Sequence, residues 1–247
     1  MQKASCTSSV GSFFICHLVL WPKSRTFASE MKKDYQNILM DLDGTLTDPF
    51  FGITRSVQYA LGKFQIEVTD LKELIPFIGP PLMDSFQEFY HFTKEQARLA
   101  CDYYTERFVS VGWCENEVFP EIETFLKEQK EKGRNLYIAT TKPDVLAEKI
   151  LDYFGLLQYF TFVGGDTMEH TRSAKPEIIR YIMKKNNIID KNSTIMIGDR
   201  KFDVDGAKAV GIDSIGVLYG YGSREEMEES KPTYLGENIK DLSIILT

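Results

Sequence analysis

Four aspartates, two threonines and a lysine stand where short apolar runs of this 247-residue chain give way to polar residues. Asp41 and Asp43 follow Asn37-Ile38-Leu39-Met40. Thr140 and Thr141 follow Leu136-Tyr137-Ile138-Ala139, and Asp199 and Asp203 follow Thr194-Ile195-Met196-Ile197. Lys175 opens the helical stretch that precedes the last of these runs. Apolar runs of this length suit buried strands, and open parallel sheets bind ligands beyond the carboxyl ends of their strands. All seven side chains are therefore expected to point into one cleft. Carboxylates are the ligands that a hard divalent cation prefers. A few cations and a bound metal can reverse the sign of such a cleft, so that it accepts a phosphorylated molecule. Each aspartate taken singly is equally well a turn or cap residue; their joint placement is what points to chemistry.

The elements that must position these residues follow from the same pattern. Two more apolar runs, Phe160-Thr161-Phe162-Val163 before Gly164-Gly165 and Ser214-Ile215-Gly216-Val217-Leu218, read as strands. Helical stretches lie at 143–154, 176–186 and 203–210, with Pro143 and Pro176 suited to first helical positions. Strand and helix in alternation predict an α/β fold with a doubly wound parallel sheet. Residues 51–118 break the rhythm. They read as helices at 54–64, 71–77, 81–90 and 94–108, with Thr93 and Gln96 spaced as a capping box and Gly79-Pro80-Pro81 as a hard break. The expected organisation is a core of residues 31–50 and 119–247 with an all-helical lobe, 51–118, inserted after the first strand. Hinges near Asp48 and Val118 would let that lobe close over the cleft and exclude water. Residues 1–30 read as a non-core extension, with the globular domain starting at Met31. The alternative there is a signal peptide built on the apolar run 12–21, which is too short to span a bilayer.

A formal net charge of -7 argues against binding nucleic-acid polymers. The four cysteines (Cys6, Cys16, Cys101, Cys114) form no C-x-x-C pair, which fits a reducing, cytoplasmic setting. The three histidines, His17, His91 and His170, are scattered and suggest no cluster. Asp48 reads as a structural turn or cap residue, Lys142 as an exposed lysine at a helix start, and Arg200 and Lys201 as solvent-facing. Phe86, Phe89, Tyr90, Tyr103, Tyr104 and Phe108 read as lobe core.

Asp41-Leu42-Asp43-Gly44-Thr45-Leu46-Thr47-Asp48 resembles the first motif of the haloacid dehalogenase superfamily in its phosphatase form. Ala139-Thr140-Thr141-Lys142-Pro143 resembles the second motif, Lys175-Pro176 the third, and Gly198-Asp199-Arg200-Lys201-Phe202-Asp203 the fourth. The branch it looks most like is the phosphoglycolate phosphatase and bacterial 5'-nucleotidase-like group, which the segment from Gly216 to Gly222 also fits. The resemblance implies a Rossmann-like core with a helical cap, an Mg2+ cofactor and a small phosphorylated metabolite as substrate. It implies that Asp41 is the nucleophile and a metal ligand, and that Asp43 is the general acid and base and binds metal through its backbone carbonyl. Asp199 and Asp203 would complete the metal site, and Thr140, Thr141 and Lys175 would hold the phosphate, although Thr141 is equally placed to cap the helix after it. Gly79 would sit on a specificity loop, and Arg55 and Arg107 are candidate substrate contacts. Pro76-Phe77 stands where phosphoglycolate phosphatases often carry an arginine, which leaves room for a flatter leaving group such as a nucleoside. A mutase of the β-phosphoglucomutase type uses the same motifs and stays open, as does an inactive binding protein on this fold. Asp43 argues against a dehalogenase, and Lys63, Lys72 and Lys94 have no telling context for a phosphonatase.

Overall fold

The computed structural model describes residues 33–247. The readings of residues 1–30, the Met31 start, Cys6, Cys16 and His17 lie outside the described residues. The strands are β1 (Asn37–Met40), β2 (Thr47–Asp48), β3 (Glu117–Val118), β4 (Asn135–Pro143), β5 (Phe162–Asp166), β6 (Thr194–Gly198), β7 (Asp213–Val217) and β8 (Tyr234–Gly236). The helices are α1 (Phe50–Lys63), α2 (Leu82–Tyr90), α3 (Lys94–Ser110), α4 (Ile122–Glu131), α5 (Asp144–Tyr153), α6 (Lys175–Lys185), α7 (Lys201–Val210), α8 (Arg224–Ser230) and α9 (Ile239–Ile245).

Six strands form one parallel sheet in the order β5-β4-β1-β6-β7-β8. This is the doubly wound α/β sheet expected from the alternation of elements. β1 lies inside it, with Met40 opposite Ile138 of β4 and Ile197 of β6. That register brings Asp41, Thr140 and Asp199 to one edge, the carboxyl edge. The strands are apolar along their length because both faces are covered. Ile38, Met40, Ile138 and Ile197 belong to one buried cluster, whereas Leu39, Tyr137 and Met196 pack with Ile178 and Ile182 of α6 and Ala207 of α7. Successive residues thus serve opposite faces, as the strand period of two requires.

Several details differ from the sequence expectation. β5 begins two residues later than expected and carries Gly164-Gly165 inside it, ending on Asp166. Ile182 packs so closely on Gly164 that a Cβ there would lie 2.3 Å from its Cγ1. β8 has only three residues and follows Pro232, so no apolar run announces it. The segment 71–77 is a 3-10 rather than an α-helical turn, with Pro76 inside it.

The inserted helices hang from a two-stranded antiparallel ribbon, with Thr47 opposite Val118 and Asp48 opposite Glu117. α1 starts four residues earlier than its pattern suggests, with Pro49 at its N-cap. Asp48 Oδ1 accepts a 3.0 Å hydrogen bond from Phe50 N, which makes Asp48 a turn residue at the entry to the helix. Thr93 and Gln96 form the expected capping box on α3, with bonds of 2.9 and 3.2 Å. The insertion's core is aromatic. Phe86 meets Phe77 at 5.0 Å and stacks on Phe92 at 5.9 Å, and Tyr104 stacks on Phe108 at 5.3 Å. Among the described residues no helix is long and apolar enough to cross a membrane.

Phe86 is fully buried whereas Phe89 on the same helix is 39% exposed. Phe86→Ala should therefore destabilise the protein by about 3–5 kcal/mol and Phe89→Ala by clearly less. Urea unfolding of both variants checks this; equal losses would mean that the insertion does not pack around Phe86.

Candidate active site

Asp41 continues β1, and its N–H donates to Ile197 O at 2.9 Å. The chain then turns back, with Gly44 N bonded to Thr47 O at 2.8 Å. Gly44 has φ 82°, and a Cβ there would lie 2.2 Å from Asp199 Oδ2, so only glycine lets this loop lie against β6. Asp199 is fixed from both sides: Thr45 Oγ1 donates to Oδ1 at 3.2 Å and Tyr221 N to Oδ2 at 2.8 Å. Asp203, in the first turn of α7, accepts Arg200 N at 3.1 Å. Lys175 enters from the start of α6. Its Nζ lies 2.7 Å from Asp203 Oδ1 and 3.0 Å from Asp41 Oδ1, and donates to Ala139 O at 2.9 Å. Asp41, Asp199, Asp203 and Lys175 are all buried.

Burial dominates the titration of these acids. It pushes Asp199 up to about 8, reinforced by the charges of Asp203 and Asp41. Burial also raises Asp203 and, with Asp41 adding to it, outweighs the opposing Lys175. Burial works to lower Lys175, but Asp203 and Asp41 prevail and raise it. Burial raises Asp43 too, against the pull of Lys142. Two ammoniums, Lys175 and Lys142, cannot neutralise four carboxylates in a dry site. Carboxylate oxygens of Asp41, Asp199 and Asp203 lie within 4.8 Å of one another. Asp41 Oδ1 and Asp203 Oδ1 are within ion-pair reach of Lys175, yet they have no aligned hydrogen bond, and neither has Asp43 Oδ1. Hard oxygen donors in excess of local positive charge fit a divalent cation held by Asp41, Asp199 and Asp203.

Asp41 and Asp43 line a cavity of about 390 Å³ together with Thr140, Thr141 and Lys142 of β4. The insertion contributes Phe77, Gly79, Met83, Tyr104 and Phe108 to its wall. Thr140 Oγ1 accepts Lys142 N at 3.2 Å, and Thr141 Oγ1 donates to Gly79 O at 3.3 Å instead of capping α5. Lys142 corrects the sequence reading: it is 8% exposed, with Nζ 2.7 Å from Asp43 Oδ2 and 4.4 Å from the Phe108 ring centre. The reason is that β4 runs on to Pro143, so Lys142 lies in a strand and not at an exposed helix start. Arg200 is likewise no solvent-facing residue. Its Nε donates to Glu226 Oε1 at 2.9 Å and its Nη1 donates to Ile78 O. Arg55 and Arg107 both pair with Glu115 at 2.8 Å and line a separate surface depression with Gln58 and Lys63. The structure does not bring them to the cavity, which corrects their reading as substrate contacts. Gly79 does line it, but a Cβ at Gly79 would first meet Arg200 Cγ at 2.8 Å. Sequence reasoning missed Tyr219 and Tyr221, whose hydroxyls donate to Thr45 O at 2.9 Å and to Asp48 Oδ1. The Tyr219-Gly220-Tyr221-Gly222 run was the signal that could have found them.

A family model for haloacid dehalogenase-like hydrolases matches residues 38–217. The 5'-nucleotidase of Pseudomonas aeruginosa is 42% identical over 212 residues, which span 86% of this chain and 96% of that protein. The tyrosine-protein kinase PtkA of Mycobacterium tuberculosis is 31% identical over 83% of this chain and 70% of that protein. The crystal structure of a predicted phosphatase from Clostridium acetobutylicum superposes with a TM-score of 0.83 at 44% identity, covering 85% of this chain and 96% of that one.

The electrostatics give a test of metal binding that needs no substrate. Asp199 ionises in the unfolded chain near the usual carboxylate value but at about 8 when folded. Its protonated form therefore favours the folded state below about pH 4, and that contribution is lost as pH rises toward about 8. A divalent cation replaces the proton. The gain in melting temperature from Mg2+ over EDTA should be larger at about pH 8.5 than at about pH 5.5. An equal gain at both values, or none, would count against metal binding by these aspartates.

Proposed function

Because the chain belongs to the haloacid dehalogenase-like hydrolases, we propose that its phosphatase activity is the Mg2+-dependent hydrolysis of small-molecule phosphate monoesters through an aspartyl-phosphate on Asp41, in the cytoplasm. The observation that carries this is the placing of two carboxylates on one cavity wall, each beside an ammonium: Lys175 lies 3.0 Å from Asp41 and Lys142 2.7 Å from Asp43. Burial nevertheless raises the Asp43 carboxyl above its ordinary range against the pull of Lys142. A raised carboxyl suits a general acid, which leaves Asp41, at the end of β1 and beside Lys175, for the nucleophile. When bound by Asp41, Asp199 and Asp203, with the backbone carbonyl of Asp43, Mg2+ supplies neutralising charge that lets an anionic nucleophile approach an anionic ester.

In the first step an Asp41 carboxylate oxygen forms a bond to phosphorus as the ester oxygen leaves, taking the proton of Asp43. In the second, water attacks phosphorus, gives its proton to Asp43 and releases phosphate and the free Asp41 carboxylate. Thr140, Thr141 and Lys175 hold the transferring phosphoryl oxygens through hydroxyl, backbone N–H and ammonium donors. Lys142 orients Asp43 from 2.7 Å. The helices of residues 51–118 act as a cap whose Phe77, Met83, Tyr104 and Phe108 surround the leaving group. A volume of about 390 Å³ with aromatic lining supports a nucleoside 5'-monophosphate over the smaller phosphoglycolate.

Phosphate release from a panel of nucleoside 5'-monophosphates, phosphoglycolate and sugar phosphates, ranked by kcat/KM with and without Mg2+, tests the reading. Asp41→Asn should lose several powers of ten in turnover with folding intact. Residual turnover within about tenfold of wild type, equivalent to about 1.4 kcal/mol of barrier, would remove Asp41 as nucleophile. Release that needs a sugar bisphosphate primer would point to a mutase.

A further inference from the structure

His170 lines the cavity, has no part in the chemistry above, and is held in a way that its own turn does not require. The turn after β5 closes with His170 N donating to Thr167 O at 3.0 Å and places His170 at φ 56°. This is the left-handed region, which favours glycine and which residues with a Cβ occupy only at some strain. Such a conformation persists where surrounding groups hold the residue in place. The group that fixes His170 is Asp166, buried at the end of β5. Its Oδ2 accepts from His170 Nδ1 at 2.9 Å and from Ser173 Oγ at 2.6 Å, and its Oδ1 accepts from Thr167 N at 2.7 Å and Arg172 N at 2.9 Å. Burial works against ionisation, yet these donors hold the Asp166 carboxyl below the ordinary carboxylate range. An ionised carboxylate can only accept, so Nδ1 carries the hydrogen. Among the described residues Nε2 has no protein partner, and the ring is half-exposed on the wall shared with Asp41 and Asp43.

We propose that His170, fixed by Asp166, is a specificity-determining positioning residue that binds a hydroxyl group of the leaving alcohol through Nε2. This rests on the phosphatase reading of the same cavity. A hydroxyl both donates and accepts, so it pairs with Nε2 in the neutral and in the charged ring, whereas a carboxylate pairs with the charged ring alone. The walls supplied by the insertion are mainly apolar, with Phe77, Leu82, Met83 and Phe108, although Asp84, Tyr104 and Thr105 also line them. The apolar side chains favour the bulk of a leaving group but do not distinguish a hydroxylated one from its deoxy analogue. A polar group held rigidly on the opposite element supplies that distinction, because a fixed hydrogen-bonding group left unpaired discriminates against the analogue. The substrate class is therefore a phosphate monoester of a polyol or ribose.

The experiment compares wild type, His170→Asn and His170→Gly on two pairs of esters at saturating Mg2+. The pairs are adenosine 5'-monophosphate with its 2',3'-dideoxy analogue, and glycerol 1-phosphate with propyl phosphate; phenyl phosphate serves as a reference. Asn tolerates a positive φ and can still donate to Asp166, and Gly relieves the strain, so both variants keep the fold. Wild type should prefer the hydroxylated member of at least one pair by about tenfold in kcat/KM, and both variants should bring that ratio close to one, chiefly through KM. Phenyl phosphate turnover should stay within about twofold, since only the hydroxyl contact is lost. A wild type without hydroxyl preference in either pair, variants that keep the preference, or an equal fall on phenyl phosphate would each overturn the proposal while leaving the phosphatase reading intact. No phosphate release from any ester by wild type would overturn both.

Discussion

The site depends on one buried ammonium. Lys175 Nζ sits between Asp41 and Asp203 and is anchored to Ala139 O, so three separate elements, β1, β4 and α7, are referred to a single point. Removing ions from water is expensive, and an ammonium shared by two carboxylates in a dry interior offsets that expense only where further hydrogen bonds fix every partner. The surrounding structure supplies them in part: Arg200 N holds Asp203, and Tyr221 N and Thr45 Oγ1 hold the neighbouring Asp199, whereas Asp41 Oδ1 and Asp203 Oδ1 have no aligned hydrogen bond. The remaining excess of negative charge is what a divalent cation would balance. A site built in this way is preorganised, because its groups are already desolvated and aimed before any ligand arrives.

Two cations tie the inserted helices to that site. Lys142 reaches from Asp43 to the ring of Phe108 on α3, and Arg200, next to Asp199, reaches the carbonyl of Ile78. The position of the insertion is thus felt by the same loops that carry the acids. A change in the 78–81 segment bears on Arg200 before it bears on a ligand, as the 2.8 Å approach of a Gly79 Cβ to Arg200 Cγ makes plain. The insertion and the loops that carry the acids are mechanically linked here, although they lie on different parts of the chain.

The sheet was legible in the sequence because its central strands are buried on both faces. Ile38 to Met40 and Ile195 to Ile197 carry no polar residue, so their ends, and with them Asp41 and Asp199, announced themselves. β8 and the end of β5 were not legible, since Tyr234-Leu235-Gly236 is short and the paired glycines of β5 look like a turn until Ile182 is seen packed upon Gly164. The acids and Lys175 could be read from motif and position. Lys142 and Arg200 could not, because their importance lies in contacts between residues far apart in sequence, and for Tyr219 and Tyr221 the Tyr-Gly-Tyr-Gly run was the one signal. The same reason explains Arg55 and Arg107: their charge suggested a ligand, but Glu115 on the neighbouring turn claims both.

The β2–β3 ribbon has a consequence for how such a chain diversifies. The chain leaves the core at Thr47 and returns at Val118, and these two residues are partners in one ladder. Whatever lies between them begins and ends at the same place, so its length and composition are free of the constraint of bridging two distant points. Loop closure grows only slowly with length, and the ladder closes the loop at its base. The ribbon is therefore a socket: a different helical segment seated between the same paired residues would meet the same acids, so recombination at this one junction could exchange the cover of the cavity while the edge that carries the acids stays as it is.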